Sequence, residues 1–319
     1  MELSFMRFTF GLATLLGIAL MLVGCGTTKS DKREIESEKA ETPYANLDDI
    51  KPQSIVYKTV NGKDLALDLY MPTPLGTAPT LAVWVHGGAW MRGSKNETLS
   101  KNGNLVASLL NEGVAVAAVN YRLSGEAIYP AAPNDINDAI NFLVDNSDNL
   151  KLSAEHVIMM GRSAGGHLAS LLTTSNNDDV PFLNAKPRYR VIGMVDFFGP
   201  SDFLALRGNS GKVDHDAPDA AEAQFLGESP LVNEALAREA SPTTYIDNKT
   251  PPFIIFHGLD DGVVPATQSE LLSRRLDQFG VPNELFLAKG KRHGDPVFDT
   301  DEFVSKVVNF VREVKKENN

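Results

Sequence analysis

A serine hydroxyl is a poor nucleophile at neutral pH unless a base takes its proton and an acid orients that base. Ser163 has the surroundings for that task. It lies in Gly161-Arg162-Ser163-Ala164-Gly165-Gly166, after a short apolar run at residues 157–160 and before a helix-like run at 167–172. Glycine on either side, at Gly161 and Gly165, permits a sharp, strained turn from strand to helix that lifts one hydroxyl clear of a sheet. The pattern alone is weak; partners downstream in the order Ser, Asp, His strengthen it.

Six histidines compete for the role of base. His86 begins His86-Gly87-Gly88-Ala89-Trp90, where its backbone matters more than its titration. His156 precedes the elbow strand and is expected at its far end, and His167 is expected to pack along the elbow helix. His215, in Asp214-His215-Asp216, reads as a surface or pocket-rim group, and His257, opening His257-Gly258, as structural. His293 follows a strand-like run at 284–288 and precedes the last helix, which is the topological place for the base. For the acid, the loop from His257 to Pro265 offers Asp261, with Asp260 as the second choice and Asp196 a more distant third, although an Asp- and Gly-rich turn needs no chemistry. The oxyanion formed by attack on an acyl carbon requires preorganised donors. The backbone N–H of Ala164 is one, and the Gly87-Gly88-Ala89 stretch can supply others.

The elements that must hold these groups alternate along the chain. Runs at 55–60 and 65–70 flank Asn61-Gly62, a strong hairpin signal, so the domain opens with an antiparallel pair. Buried-strand runs follow at 81–85, 114–119, 157–160, 191–198, 253–256 and 284–288. Helical stretches lie between them at 99–112, 135–146, 164–174, 267–279 and 299–316. This order predicts an α/β fold with a mostly parallel sheet of eight strands covered on both faces. Residues 200–252 break the rhythm with two short helical segments near 220–225 and 234–239, and read as a small cap that shapes a substrate pocket.

The bulk composition excludes several classes. The net charge is −11 with no basic stripe, which argues against nucleic acid as a partner. A single cysteine, Cys25, rules out an intramolecular disulfide and a Cys-based zinc site, and no metal is expected. Residues 1–24 carry one early arginine, Arg7, and then an apolar or small run shorter than the roughly 20 residues of a membrane span, and so read as a signal peptide. Leu22-Val23-Gly24-Cys25 resembles the bacterial lipobox, which implies lipidation at Cys25 and a lipid-anchored protein of the cell envelope. Gly26 after the cysteine favours the outer membrane in a Gram-negative cell. Residues 25–49 are polar and mixed in charge and read as a flexible tether, with the catalytic domain spanning 50–319.

Taken together, the motifs at His86 to Trp90, Asn120 to Glu126, Gly161 to His167, Asp196 to Pro200, Ser241-Pro242 and His257 to Pro265 resemble α/β-hydrolases. More narrowly they are similar to the bifunctional feruloyl and acetyl-xylan esterase-like group, related to carboxylesterases of the hormone-sensitive-lipase type. The resemblance covers about residues 50–316. It implies a cofactor-free serine hydrolase acting on small or carbohydrate esters, with Ser163 the nucleophile, Asp261 the acid and His293 the base. Two departures stand out. Ala89 replaces a usual third glycine, and Lys291-Arg292 precede the base where small residues are usual, two cations that would tend to shift the pH profile. Trp90 is taken as a substrate-binding wall of an acyl or aryl pocket, with core packing the alternative, and Trp84 as core. Arg122 is expected to hold a loop through carbonyls rather than bind a carboxylate. Amide hydrolysis of the arylformamidase or peptidase type, and a non-catalytic glycan-binding lipoprotein on the same fold, are the competing readings.

Overall fold

The computed structural model describes residues 47–73, 76–177, 179–208 and 212–318. The signal peptide, Cys25 and all but the last three residues of the expected tether lie outside the described residues. Leu47–Asp49 form a 3-10 turn, with the Leu47 side chain close against Gly103 and Ile50 buried behind it, so the packed domain begins slightly before residue 50.

Eight strands form one sheet: β1 (Gln53–Val60), β2 (Lys63–Tyr70), β3 (Thr80–Val85), β4 (Val114–Val119), β5 (Ser153–Arg162), β6 (Arg190–Phe197), β7 (Phe253–Gly258) and β8 (Asn283–Ala288). Their order is β1-β2-β4-β3-β5-β6-β7-β8. The first two pairings are antiparallel and the remaining five parallel. The β1–β2 turn has φ of 52° at Asn61 and 76° at Gly62, the left-handed pair that a two-residue hairpin demands. His156 lies inside β5, paired with Arg190, rather than ahead of the strand.

The helices are α1 (Thr98–Asn111), α2 (Ala131–Asp145), α3 (Ser147–Leu150), α4 (Ala164–Thr174), α5 (Ala221–Leu226), α6 (Glu234–Glu239), α7 (Thr267–Gln278) and α8 (Asp301–Asn318). The helix α2 starts four residues before the expected 135. Pro133 falls in its first turn, where a missing N–H removes no helical bond. The last helix starts two residues later than expected, because Pro296–Asp299 forms a 3-10 turn whose Asp299 carboxylate accepts from the N–H groups of Asn104 and Leu105.

Alternation along each strand sends apolar side chains to both faces. Leu81, Val83 and Val85 of β3 join one core cluster, while Ala82 and Trp84 join the other, under α1 and α8. Burial on both faces explains why these strands read as continuous apolar runs. The helix α4 is buried along its whole length, which suits a sequence that is small or apolar all round. The sheet thus gives the elbow a rigid floor, and the cap segments cover it.

Candidate active site

The position of Ser163 follows from its neighbours. β3 and β5 are adjacent and parallel, with Val85 opposite Gly161, so the loops that leave their carboxyl ends meet. The chain order reverses between β4-β3 and β5, and such a switch point opens a crevice at strand ends. Ser163 has φ 54° and ψ −124°, a strained conformation for a side chain with a Cβ. It is held there by Ser163 N–H donating to Phe197 O at 2.9 Å and by Ser163 O accepting from His167 N–H at 2.9 Å. A Cβ on Gly161 would lie 2.3 Å from Gly165 O, and one on Gly165 would lie 2.1 Å from Val85 O. Only glycine lets the turn close against the sheet at both places.

The three sequence-predicted groups are brought together. His293 Nε2 lies 2.8 Å from Ser163 Oγ, and His293 Nδ1 lies 2.6 Å from Asp261 Oδ2. Residues 130 and 32 positions apart in the chain meet because β5, β7 and β8 all deliver their carboxyl ends to one rim. The Asp261 side chain is fully buried. Its Oδ1 accepts from the N–H groups of Val263 at 2.8 Å and Val264 at 3.0 Å. Burial alone would raise its pKa, but hydrogen bonds from His257, His293 and the Val263 N–H outweigh that and hold the carboxyl well below the usual range. Asp261 therefore stays ionised, ready to fix the Nδ1–H tautomer of His293 and to balance a positive imidazole. The ring of Phe198 packs edge-on to His293 at 4.9 Å and limits its rotation.

The other two acids are elsewhere. Asp260 is exposed, and only its backbone N–H, donating to Lys291 O at 2.9 Å, joins the acid loop to the base loop. Asp196 is buried behind the elbow, with Oδ1 accepting from Gly199 N–H at 3.1 Å. Burial pushes it up to about 7 against the opposing pull of His257 and that N–H. The ammonium of Lys291, beside the base, lies 3.9 Å from Asp295, which offsets the charge expected next to His293.

The expected oxyanion loop lies against the nucleophile. A Cβ on Gly87 would be 2.7 Å from Arg162 O and 3.3 Å from the Ser163 Cβ. Gly88, Ala89 and Trp90 all have positive φ, at 122°, 54° and 58°, a succession that can aim backbone N–H groups into one concavity. Ala164 opens α4, where its N–H has no partner within the helix.

Trp90 takes one of its two expected roles, and Arg122 departs from expectation. Trp90 is 3% exposed, stacked on Phe225 at 5.0 Å, with Nε1–H donating to His167 Nδ1 at 3.1 Å. Its indole takes the core alternative rather than a pocket wall, packed between the elbow helix and Phe225 of the cap. His167 in turn donates from Nε2 to Ala240 O at 2.7 Å. Trp84 is core as expected. Arg122 does bind a carboxylate, that of the fully buried Asp135, through Nε at 2.7 Å and Nη2 at 2.9 Å. A fork matched to a carboxylate is a stronger partner than scattered carbonyls.

His257 is structural, as expected, whereas His215 lies deeper than expected. His257 is fully buried, and its Nε2 lies 3.3 Å from Asp261 Oδ2. His215, expected at the surface or a pocket rim, is 4% exposed and sits between Glu222 and Val263 O. Its partners lie 7 and 48 residues away, so no local pattern marks it. Among the described residues no group of three or more His, Cys, Asp and Glu side chains is arranged to hold a metal ion.

The family model BD-FAE matches residues 67–276, well over half of the chain. The chain belongs to the BD-FAE family. Its fold is of the α/β-hydrolase type, and the proteins it resembles are described as ester hydrolases. It is 26% identical over 251 residues to a probable isoprenylcysteine alpha-carbonyl methylesterase of Arabidopsis thaliana, covering 72% of this chain and 48% of that protein. It is 29% identical over 203 residues to the probable carboxylic ester hydrolase LipM of Mycobacterium tuberculosis, covering 61% and 44%. The chain thus spans about half the length of these curated relatives. A solved truncated carbohydrate esterase from gut microbiota superposes on the BD-FAE chain with a TM-score of 0.72 at 26% identity, covering 87% of this chain and 99% of that one.

Proposed function

We propose that the protein is a serine carboxylic-ester hydrolase of the acetyl or feruloyl esterase type, acting on carbohydrate or other small esters outside the cytoplasm. The observation that carries this reading is the continuous line of contacts from Ser163 Oγ through His293 to Asp261. Ser163 attacks the acyl carbon while His293 Nε2 takes its proton. Asp261 holds the other ring nitrogen and balances the imidazolium. The N–H groups of Ala164 and of the Gly87-Gly88-Ala89 stretch receive the oxyanion. His293 returns the proton to the leaving alcohol, and water, activated by the same imidazole, then releases the acid from the acyl-enzyme. The carbohydrate side of the proposal is supported by the gut carbohydrate esterase among its structural neighbours.

The deciding experiment compares wild type with Ser163→Ala on 4-nitrophenyl acetate, acetylated xylan, methyl ferulate, N-formylkynurenine and dipeptide amides. Loss of ester turnover in the variant, with esters preferred over amides in the wild type, is the expected result. Full turnover by Ser163→Ala would overturn the assignment. Preference for the amides would move the protein to amide hydrolysis, and failure of folded protein to react with a fluorophosphonate would make it a binder. A lipid anchor at Cys25, and with it residence in the bacterial cell envelope, is part of the proposal. It predicts incorporation of labelled palmitate that Cys25→Ser abolishes.

A further inference from the structure

The turn that carries Asp261 is gripped by imidazoles from two sides. Asp261 Oδ1 accepts from the N–H groups of Val263 and Val264. The carbonyls of the same two residues accept from histidines: Val263 O from His215 Nε2 at 3.0 Å, and Val264 O from His257 Nε2 at 2.9 Å. Each imidazole is anchored behind. His215 Nδ1 lies 3.0 Å from Glu222 Oε1 on α5, in the cap. His257 Nδ1 lies 2.7 Å from Ser269 Oγ on α7, beneath the site. Both histidines are buried.

The two rings need different protonation. Ser269 can donate its hydroxyl to His257 Nδ1, so a neutral ring with its proton on Nε2 satisfies both of those contacts. That same N–H also points within 3.3 Å of Asp261 Oδ2. Both nitrogens of His215, in contrast, face oxygens, so with Glu222 ionised both bonds exist together only in the imidazolium form. Among the described residues Glu222 Oε2 is buried with no hydrogen-bond partner, and His215 is the cation facing that carboxylate. The other charged groups nearby are Asp214 and Asp216 on the flanking turn, Arg207 at 3.5 Å from Asp216, Lys212 lying over Gly262, and Asp261 across the Val263 peptide.

We propose that His215 and His257 are positioning residues that clamp the Val263–Val264 peptides and so hold the Asp261 carboxylate in line with His293. The cap is then part of the machinery that keeps the acid in place. This rests on the ester-hydrolase reading above. The hydrogen bond and charge of Glu222 raise the affinity of His215 for its proton in spite of burial. Its contribution is therefore complete below the ordinary histidine range and is lost as pH rises through the raised value. His215 thereby adds an alkaline limb to the activity profile.

The test measures kcat and KM for 4-nitrophenyl acetate from about pH 5 to about pH 10, with the rate of fluorophosphonate labelling of Ser163 as a second readout. Wild type is compared with His215→Leu, His215→Gln, Glu222→Gln and His257→Gln, each checked for folding by circular dichroism. His215→Leu is expected to lose kcat about tenfold, with KM changed less than about twofold, and to lose the alkaline limb. His215→Gln, which can still donate to Val263 O, is expected to recover part of kcat with no alkaline limb. Glu222→Gln is expected to move that limb to lower pH. If His257→Gln does not fold, the His215 and Glu222 variants decide. An alkaline limb that stays in place in His215→Leu and Glu222→Gln, or a rise in KM at unchanged kcat, overturns the clamp. Failure of the underlying reading looks different, since it would show in Ser163→Ala keeping full turnover, in amides preferred over esters, or in wild type not reacting with the fluorophosphonate.

Discussion

Replacing Asp261 by asparagine tests the site at the group whose geometry is best defined. Its two oxygens are not equivalent. Oδ1 accepts from two backbone N–H groups, so in the variant that place must be taken by the amide oxygen. The NH2 group is thereby forced into the place of Oδ2, 2.6 Å from His293 Nδ1 and 3.3 Å from His257 Nε2. His293 must then accept at Nδ1, which moves its proton to Nε2, facing Ser163 Oγ, where it can no longer act as base. The imidazolium formed during attack also loses its counter-ion. Two unit charges about 4 Å apart at an effective dielectric of about 20 interact by about 4 kcal/mol, which is roughly 10³ in rate. With the wrong tautomer added, Asp261→Asn should lower kcat by about 10³- to 10⁴-fold at nearly unchanged KM. Initial rates on 4-nitrophenyl acetate at saturation measure this, with Asp260→Asn as the comparison. If Asp261→Asn kept more than about a tenth of kcat, or if Asp260→Asn caused the loss instead, the assignment of the acid would be wrong.

Three further outcomes follow from the backbone and the buried acids. Gly165→Ala places a Cβ 2.1 Å from Val85 O and 2.5 Å from His86 O, both main chain, so α4 must separate from β3. A loss of several kcal/mol, seen as a sharply lower urea midpoint or insoluble protein, is expected, while Gly125→Ala, which meets nothing within 4 Å, should shift stability by less than about 0.5 kcal/mol. Ala89 carries a side chain at φ 54°, so Ala89→Gly should relieve strain and stabilise by about 0.5–1 kcal/mol in urea titration; a lower midpoint would contradict this. Asp196, raised by burial to about 7, binds its proton more tightly folded than unfolded, so it costs stability as pH rises from the ordinary carboxylate range through about 7. The melting temperature of Asp196→Asn should therefore gain on wild type between about pH 5 and about pH 8, and a constant gap would refute the sign.

What could be read from the sequence is what local backbone chemistry encodes. Asn61-Gly62 demands a hairpin because both residues accept positive φ, and the elbow demands Gly161 and Gly165 because nothing larger fits beside Gly165 O and Val85 O. Alternating strands and helices required a parallel sheet, and that in turn put the ends of β5, β7 and β8 on one rim, where Ser163, the acid loop and His293 meet. The misreadings share a cause. Trp90 was placed by its neighbours in sequence, yet its role is set by Phe225 and His167, residues that reach it only through the cap and the elbow helix. Arg122 was judged by its loop, yet its partner Asp135 comes from the first turns of α2. His215 between two aspartates reads as a surface or pocket-rim group, but Glu222 supplies the counter-charge that lets an imidazolium be buried. Each of these side chains is fixed by polar partners outside its own turn, and such a pairing leaves no period in the sequence. The reactive groups are legible because the fold must present them at strand ends, whereas the groups that hold them still are free to come from any element that passes nearby. That asymmetry is why the clamp on Asp261 emerges only when Val263 and Val264 are followed from their N–H groups to their carbonyls.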